Sequence, residues 1–120
     1  YSLPLNTLTT NGQAVRITAW GTHAANGNAK TVALLFGATT LVTQAGSPNN
    51  VDWMAEAVVV RTGAATQEAG AIHYRGTDIL TVNQSAPAET LSGAITIKCT
   101  GAATANDDII QEGLIVEVIN

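Results

Sequence analysis

Charged side chains are scarce in this chain, because Asp, Glu, Lys and Arg make up only 12% of its 120 residues. A solvent-covered domain surface usually carries about 25–35% charged residues. We therefore expect another chain to cover part of this surface. The five Lys and Arg are scattered along the sequence and the formal net charge is −4. Nucleic-acid binding needs clustered cations that displace counterions from phosphates, so the sequence argues against a nucleic-acid partner.

Cysteine and long apolar runs are also nearly absent. Cys99 is the single cysteine, which excludes an internal disulfide, and its place on the apolar side of a strand predicts a small buried hydrophobe. No run approaches the roughly 18 apolar residues of a membrane span, so no membrane insertion is expected, and no signal peptide is visible. The sequence starts at Tyr1 rather than Met, which predicts a fragment of a longer protein or a processed product.

Alternating segments separated by turn residues dominate what remains. In residues 93–100, Ile95, Ile97 and Cys99 point to one side of an extended backbone, because strand side chains alternate with period two. The run at residues 109–120 repeats this spacing and ends the chain. These two patterns predict core strands.

The longest strand candidate covers residues 51–62. Trp53 shares one phase with alanines and Val59, whereas Met54, Val58 and Val60 share the other phase, so its later half is expected to be buried on both faces. A helix over residues 53–60 is the competing interpretation. The β-branched residues 58–60 and the bounding turns favour a strand. Further strands are predicted at residues 13–22, 30–36, 39–43, 67–74 and 77–84.

This pattern predicts an all-β fold, an antiparallel β-sandwich of jelly-roll-like topology with eight or nine strands. Residues 1–12 contain Pro4 and are expected to form a linker or an edge strand. Residues 13–120 are expected to form a single sandwich domain, which is long enough to bury its own core.

Residues with catalytic or metal-binding chemistry do not form a recognisable motif. His23, His73 and Cys99 show no ligand spacing, so no metal and no cofactor are expected. The acidic cluster Asn106-Asp107-Asp108 lacks the glycine turn and the spaced carboxylates of a calcium loop, and a carboxylate that caps the last strand is the better interpretation. The five glutamates are far apart in sequence, and no nucleophile or phosphate-loop motif occurs. We therefore expect no catalytic residue and no enzyme.

A binding role is the remaining possibility for the exposed polar segments. Trp20 lies opposite the apolar residues of its strand and is the better surface aromatic, while Trp53 lies on the core phase. Loops on a rigid sandwich commonly carry recognition, and two loops of this chain are rich in amides. The candidate binding residues are Trp20, His23, Asn26, Asn28, Asn49 and Asn50.

Three segments together resemble a recurring module of bacteriophage virion proteins, found at the C-terminus of tail fibres and tailspikes. The first is VRITAWGT at residues 15–22, with AAN at 24–26 and KTV at 30–32. The second is VVRTG at residues 59–63, followed by TQ at 66–67. The third is IKCTG at residues 97–101, with ANDD at 105–108.

The resemblance implies a β-sandwich that assembles as a homotrimer behind upstream fibre or spike domains on the phage tail or capsid surface. It also implies host attachment through a surface polysaccharide, and it transfers no active-site residues. A head decoration or a purely structural assembly domain without receptor binding is the alternative. A glycan-degrading subdomain, whose carboxylates would meet only in the fold, is the second alternative.

Overall fold

In a computed structural model, which describes residues 1–120, the chain forms nine strands and no helix. No element of the structure is therefore a helix that could cross a membrane. The strands are β1 (Ser2–Leu3), β2 (Ala14–His23), β3 (Lys30–Phe36), β4 (Thr39–Gly46), β5 (Asp52–Gly63), β6 (Thr66–Arg75), β7 (Asp78–Ser85), β8 (Ile95–Ala103) and β9 (Ile109–Ile119).

The strands form two sheets. The small sheet has the order β1-β8-β3-β4, and the large sheet has the order β7-β6-β5-β2-β9. All pairings are antiparallel. Two-residue turns join β3 to β4, β5 to β6 and β6 to β7. Gly37 and Gly76 have positive φ angles of 60° and 56° in two of these turns, a conformation that suits glycine.

Two pairings are nested in sequence, since β2 pairs with β9 and β3 pairs with β8. This nesting of early with late strands occurs when a long antiparallel ribbon rolls up, as in a jelly roll. The all-β antiparallel sandwich predicted from the sequence is confirmed, with nine strands.

The core lies between the two sheets. Each strand contributes alternate side chains to it, as the period of two requires. Its largest fully buried apolar side chains are Leu3, Leu8, Ile17, Leu34, Phe36, Leu41 and Ile97. Trp53 is buried with them, as its phase predicted, and Leu3 and Leu8 anchor the N-terminal segment to the domain.

One expectation about β5 is wrong. Its later half is not buried on both faces, because Val58 is exposed and Val60 is only half-buried. The physical reason is that β5 lies in the middle of the large sheet, whose second face is turned away from the core and is covered by no other element. The apolar second phase of β5 therefore faces outward.

The last strand is present as predicted, and it contributes to the core only in part. β9 forms the edge of the large sheet, with β2 as its only neighbour. Leu114 and Val116 pack against the core from the side, whereas Val118 is exposed. The free edge of β9 leaves this side of the sandwich partly open.

Candidate interaction surfaces

The outer face of the large sheet is apolar over most of its width. In register across the sheet, Val82 lies beside Ile72, and Ile115 occupies the same row at the opposite flank. Val82 is 69% exposed and Ile115 is 48% exposed. An antiparallel sheet with one solvated face normally places polar residues there. The apolar members of this outer face are Trp20, Met54, Val58, Val60, Ile72, Tyr74, Ile79, Val82, Ile110, Ile115 and Ile119.

The outer face is large enough to be an interface. Five strands about 4.8 Å apart and about eight residues long cover roughly 24 by 27 Å, or about 650 Å². The largest apolar patch of a monomer is typically about 300–600 Å², and one side of a stable protein interface buries about 800 Å². A second protein can therefore bury this face at the usual scale of a specific complex.

Charged residues also occupy the outer face: Asp52, Glu68 and Glu117 lie near its margins, whereas Arg16 and Glu56 lie within the sheet. Arg16 and Glu117 are paired across β2 and β9, with 3.6 Å between their guanidinium and carboxylate groups. Both side chains are more than half exposed, so the pair contributes little to stability. Glu56 lies in the central row, between Ile72 and Thr18.

A shallow apolar groove of about 290 Å³ interrupts the outer face at Gly70. Gly70 pairs with Val58 on one side and with Gln84 on the other. Because glycine has no side chain, the backbone of β6 forms the floor of this groove. The side chains of Val58, Ile72 and Val82 are among those that line it.

Trp20, a predicted binding residue, lies on this same outer face. Its indole ring covers Gly113, so a side chain at position 113 would collide with the ring. Trp20 is therefore half-buried against its own sheet. One side of the indole ring is used in this packing. Trp20 is therefore part of the outer face of the large sheet and not part of the loops.

The amide-rich loop was predicted at residues 23–29, and its part after His23 forms an internal polar network. Its centre is Lys30, which is only 2% exposed. The Nζ group of Lys30 donates to the backbone carbonyls of Asn26, Asn28 and Pro48 at 3.0, 3.2 and 3.0 Å, and to the side-chain oxygen of Asn26 at 2.8 Å. Four oxygens therefore surround the buried ammonium group.

Asp108 completes this network from the opposite side. Its carboxylate accepts hydrogen bonds from the side-chain amides of Asn26 at 2.6 Å and Asn28 at 3.0 Å. It also accepts one from the backbone N–H of Ala105 at 2.9 Å. The hydrogen bond from Asn26 is the largest cause that lowers the pKa of Asp108. Asn26 and Asn28 thus connect a buried cation with a buried anion, and their amides are engaged within the chain.

Asn49 and Asn50 remain exposed beside this network. The φ angle of Asn50 is 48°, and its backbone N–H donates to the carbonyl of Ala24 at 3.1 Å. These loops lie at the Lys30 end of β3, whereas Tyr1 pairs near Phe36 at the other end. The exposed amides are therefore at the end of the domain that is distant from its N-terminus.

His23 is buried and does not reach the surface. It ends β2 on the core side, and its Nδ1 lies 3.1 Å from the carbonyl oxygen of Val51. The ring of Trp53 separates His23 from His73, with a centroid distance of 6.4 Å to each of them. Burial lowers the pKa of both histidines, and that of His73 falls to about 4. Both rings are therefore neutral at pH 7.

The largest groove, of about 580 Å³, lies on the open side of the sandwich where β8 and β9 diverge. Cys99, Thr100, Asn106, Asp107 and Gln111 line part of it. Asp107 is the only carboxylate in this lining. Burial raises the pKa of the Cys99 thiol to about 11, so this cysteine is a poor nucleophile. No group of three or more His, Cys, Asp or Glu side chains is placed to hold a metal ion.

The sequence reasoning missed the outer face as a site. Its signal was the second apolar phase of β5, formed by Met54, Val58 and Val60, which was interpreted as burial on both sides. The burial of Lys30 could also have been predicted from the sequence, because Lys30 alternates in phase with Val32 and Leu34. A strand pattern does not distinguish a face buried by its own chain from one that is left for a partner.

Comparisons of the chain with protein-family models, with curated proteins and with solved structures find no match.

Proposed function

We propose that this chain is an assembly module of a bacteriophage virion, a domain that forms a homotrimer through the outer face of the large sheet. The observation that carries the proposal is the exposed apolar face itself, with Val82, Ile79 and Ile115 standing out from it. Exposed large apolar side chains gathered on one face are typical of a protein interaction site. A self-associating domain hides this area, and the low charge content of the chain fits a surface that is partly covered.

The place on a virion rests on the resemblance of residues 15–32, 59–67 and 97–108 to the C-terminal domains of phage tail fibres and tailspikes. In this proposal the upstream fibre or spike enters at the Tyr1 end, and the Lys30 end points away from it. The domain works by binding and assembly. Its largest groove has one carboxylate, Asp107, whereas glycoside hydrolysis needs a pair.

Light scattering on the purified domain tests the assembly. We expect a mass of three chains at micromolar concentration, and a Val82→Asp variant that dissociates because a carboxylate is costly to bury without a partner. Thr96→Asp is the matched control, since Thr96 is exposed on the outside of the small sheet. A parent domain that is monomeric, or a control that dissociates equally, contradicts the proposal. An antibody against the domain that labels tail tips or capsids of phage particles tests its location.

Host attachment is the second candidate function, and the exposed amides of Asn49 and Asn50 at the distant end favour it. Amide groups suit the hydroxyls of a surface polysaccharide. Binding of the domain to host cells tests this function, with a double variant Asn49→Ala and Asn50→Gly. Glycine is chosen at position 50 because the φ angle there is 48° and alanine would add strain. Unchanged binding by this variant excludes these two residues as the contact.

A further inference from the structure

Gly70 occupies a position where nothing within its own chain requires glycine. Its φ angle is not positive, and a Cβ atom built there meets no atom within 4 Å. Glycine weakens a strand interior because it has no side chain to pack, and it often marks a place where another chain approaches closely. The groove that it opens is lined by Val58, Ile72 and Val82, together with the charged residues Arg16 and Glu56. The reason for a glycine at position 70 therefore lies in a contact with something outside this chain.

We infer that the groove at Gly70 is a socket that receives the side chain of Ile115 from a second copy of this chain. The inference rests on the proposed self-assembly and adds its point of contact. A cyclic trimer needs a heterologous interface, in which one patch of each copy meets a different patch of the next. The socket and Ile115 lie toward opposite flanks of the same face, so a ring can bring them together.

The register of the sheet selects Ile115 among the exposed isoleucines of β9. If the symmetry axis of the ring runs parallel to the strands, rotation about it leaves the height of each residue along the axis unchanged. The Gly70 row continues through Val58 and Arg16 to Glu117, and the next row ends at Ile115. Rows on one face are about 7 Å apart, so Ile115 is close to the height of the socket, whereas Ile110 is about 20 Å away along the strands.

One charge of the socket has the sign opposite to that of Glu117. Arg16 and Glu56 both line the socket, and Glu117 lies on the same face as Ile115 and two residues after it. Arg16 shares a row with Glu117, whereas Glu56 shares a row with Ile115. Docking at constant height therefore brings Glu117 of the second copy level with the guanidinium group of Arg16 and not with the carboxylate of Glu56. Such complementarity fixes the register of a complex more than it raises its affinity.

Four proteins test the inference, each measured by sedimentation and light scattering over a range of concentrations: the parent and the variants Gly70→Val, Ile115→Ala and Val118→Ala. Gly70→Val places a side chain in the socket, its Cβ atom meets no atom within 4 Å, and valine suits a strand. We expect it and Ile115→Ala to weaken trimer formation about tenfold or more, the scale of a central interface residue. Val118 is the matched control, since it is 42% exposed on the same strand but does not belong to the outer face.

The outcomes separate this inference from the proposed function. A monomeric parent overturns both. A trimeric parent whose Gly70→Val and Ile115→Ala variants associate like the Val118→Ala control overturns the socket alone. If Gly70→Val fails to fold by circular dichroism, the comparison of Ile115→Ala with Val118→Ala decides, because neither side chain belongs to the core cluster.

Discussion

Gln67 and Glu89 are joined by two reciprocal hydrogen bonds of 3.0 Å, from the Gln67 amide to the Glu89 carbonyl and from the Glu89 backbone N–H to the Gln67 side-chain oxygen. Gln67 is buried at the start of β6, in phase with Ala69 and His73. It therefore acts as a polar core residue that holds the connection between β7 and β8 on the sandwich.

Gln67→Leu should destabilise the domain by about 2–4 kcal/mol, because two buried backbone groups of Glu89 lose their partners. Urea unfolding followed by circular dichroism measures the change. Gln111→Leu is the control: Gln111 is exposed on β9, so its replacement should change the free energy of unfolding by less than about 0.5 kcal/mol. Equal effects of the two variants would show that Gln67 has no special role.

Lys30→Met should also lower the free energy of unfolding by about 2–4 kcal/mol. The methionine fills a similar volume, but the oxygens of Asn26, Asn28 and Pro48 lose their shared donor and a buried acceptor without a donor is costly. Lys98→Met serves as the control, because Lys98 is exposed on β8. Thermal unfolding of both variants gives the comparison, and a Lys30→Met protein as stable as the Lys98→Met protein would contradict the prediction.

Acid should lower the free energy of unfolding of the domain, because the unfolded state binds a proton at His73 more readily than the folded state. Burial, with smaller effects of His23 and Arg75, lowers the pKa of His73 from 6.5 to about 4. Between these values the unfolded chain binds more protons than the folded one, so stability is full above pH 6.5 and falls as the pH drops toward 4. At about 1.36 kcal/mol per pKa unit the loss reaches about 3 kcal/mol.

Urea unfolding at pH 7 and pH 4.5 measures this loss, and His73→Leu should show a smaller difference between the two conditions. His23 acts in the same direction, since its pKa is also lowered. The lowered pKa of Asp108 matters only below its ordinary value of 3.8. If the His73→Leu protein keeps the full acid sensitivity of the parent, groups other than His73 cause the loss of stability and the prediction is wrong.

Cys99 should react slowly with alkylating reagents. A rise of its pKa from 9.0 to about 11 reduces the thiolate at pH 8 about a hundredfold, and the thiolate is the reactive species. Iodoacetamide labelling followed by mass spectrometry gives the rate. The same protein in denaturant provides the reference, because unfolding removes the burial that raises the pKa. Equal rates in the two conditions would contradict the prediction.

The fold was predictable because its strands alternate clearly and are separated by turn residues. Every predicted strand is present, and Trp53 and Ile97 are buried as their phases indicated. The strand lengths were less predictable. β8 continues to Ala103 through Gly101, although glycine was expected to end it, because pairing with β3 continues to Lys30 and fixes the backbone there.

The interaction surfaces were less predictable than the fold. The amides of Asn26 and Asn28 seemed free in sequence, but Asp108 meets them only through a contact about eighty residues away in the chain. His23 was placed in a loop, although its phase with Ile17 and Ala19 directs it inward. Long-range partners decide whether a polar side chain is a contact residue or a structural one, and a local pattern does not contain them.

The pairing of β2 with β9 determines when the domain can fold. Ala14 pairs with Ile119, so the central part of the large sheet gains its final edge only after β9 has been synthesised. Pairings between such distant residues make folding slow, because the intervening chain must lose its freedom before the contacts form. A chain that ends before β9 leaves Leu114 and Val116 missing from the side of the core. The domain therefore reaches its native structure only after β9 has been synthesised, however early the other eight strands become available.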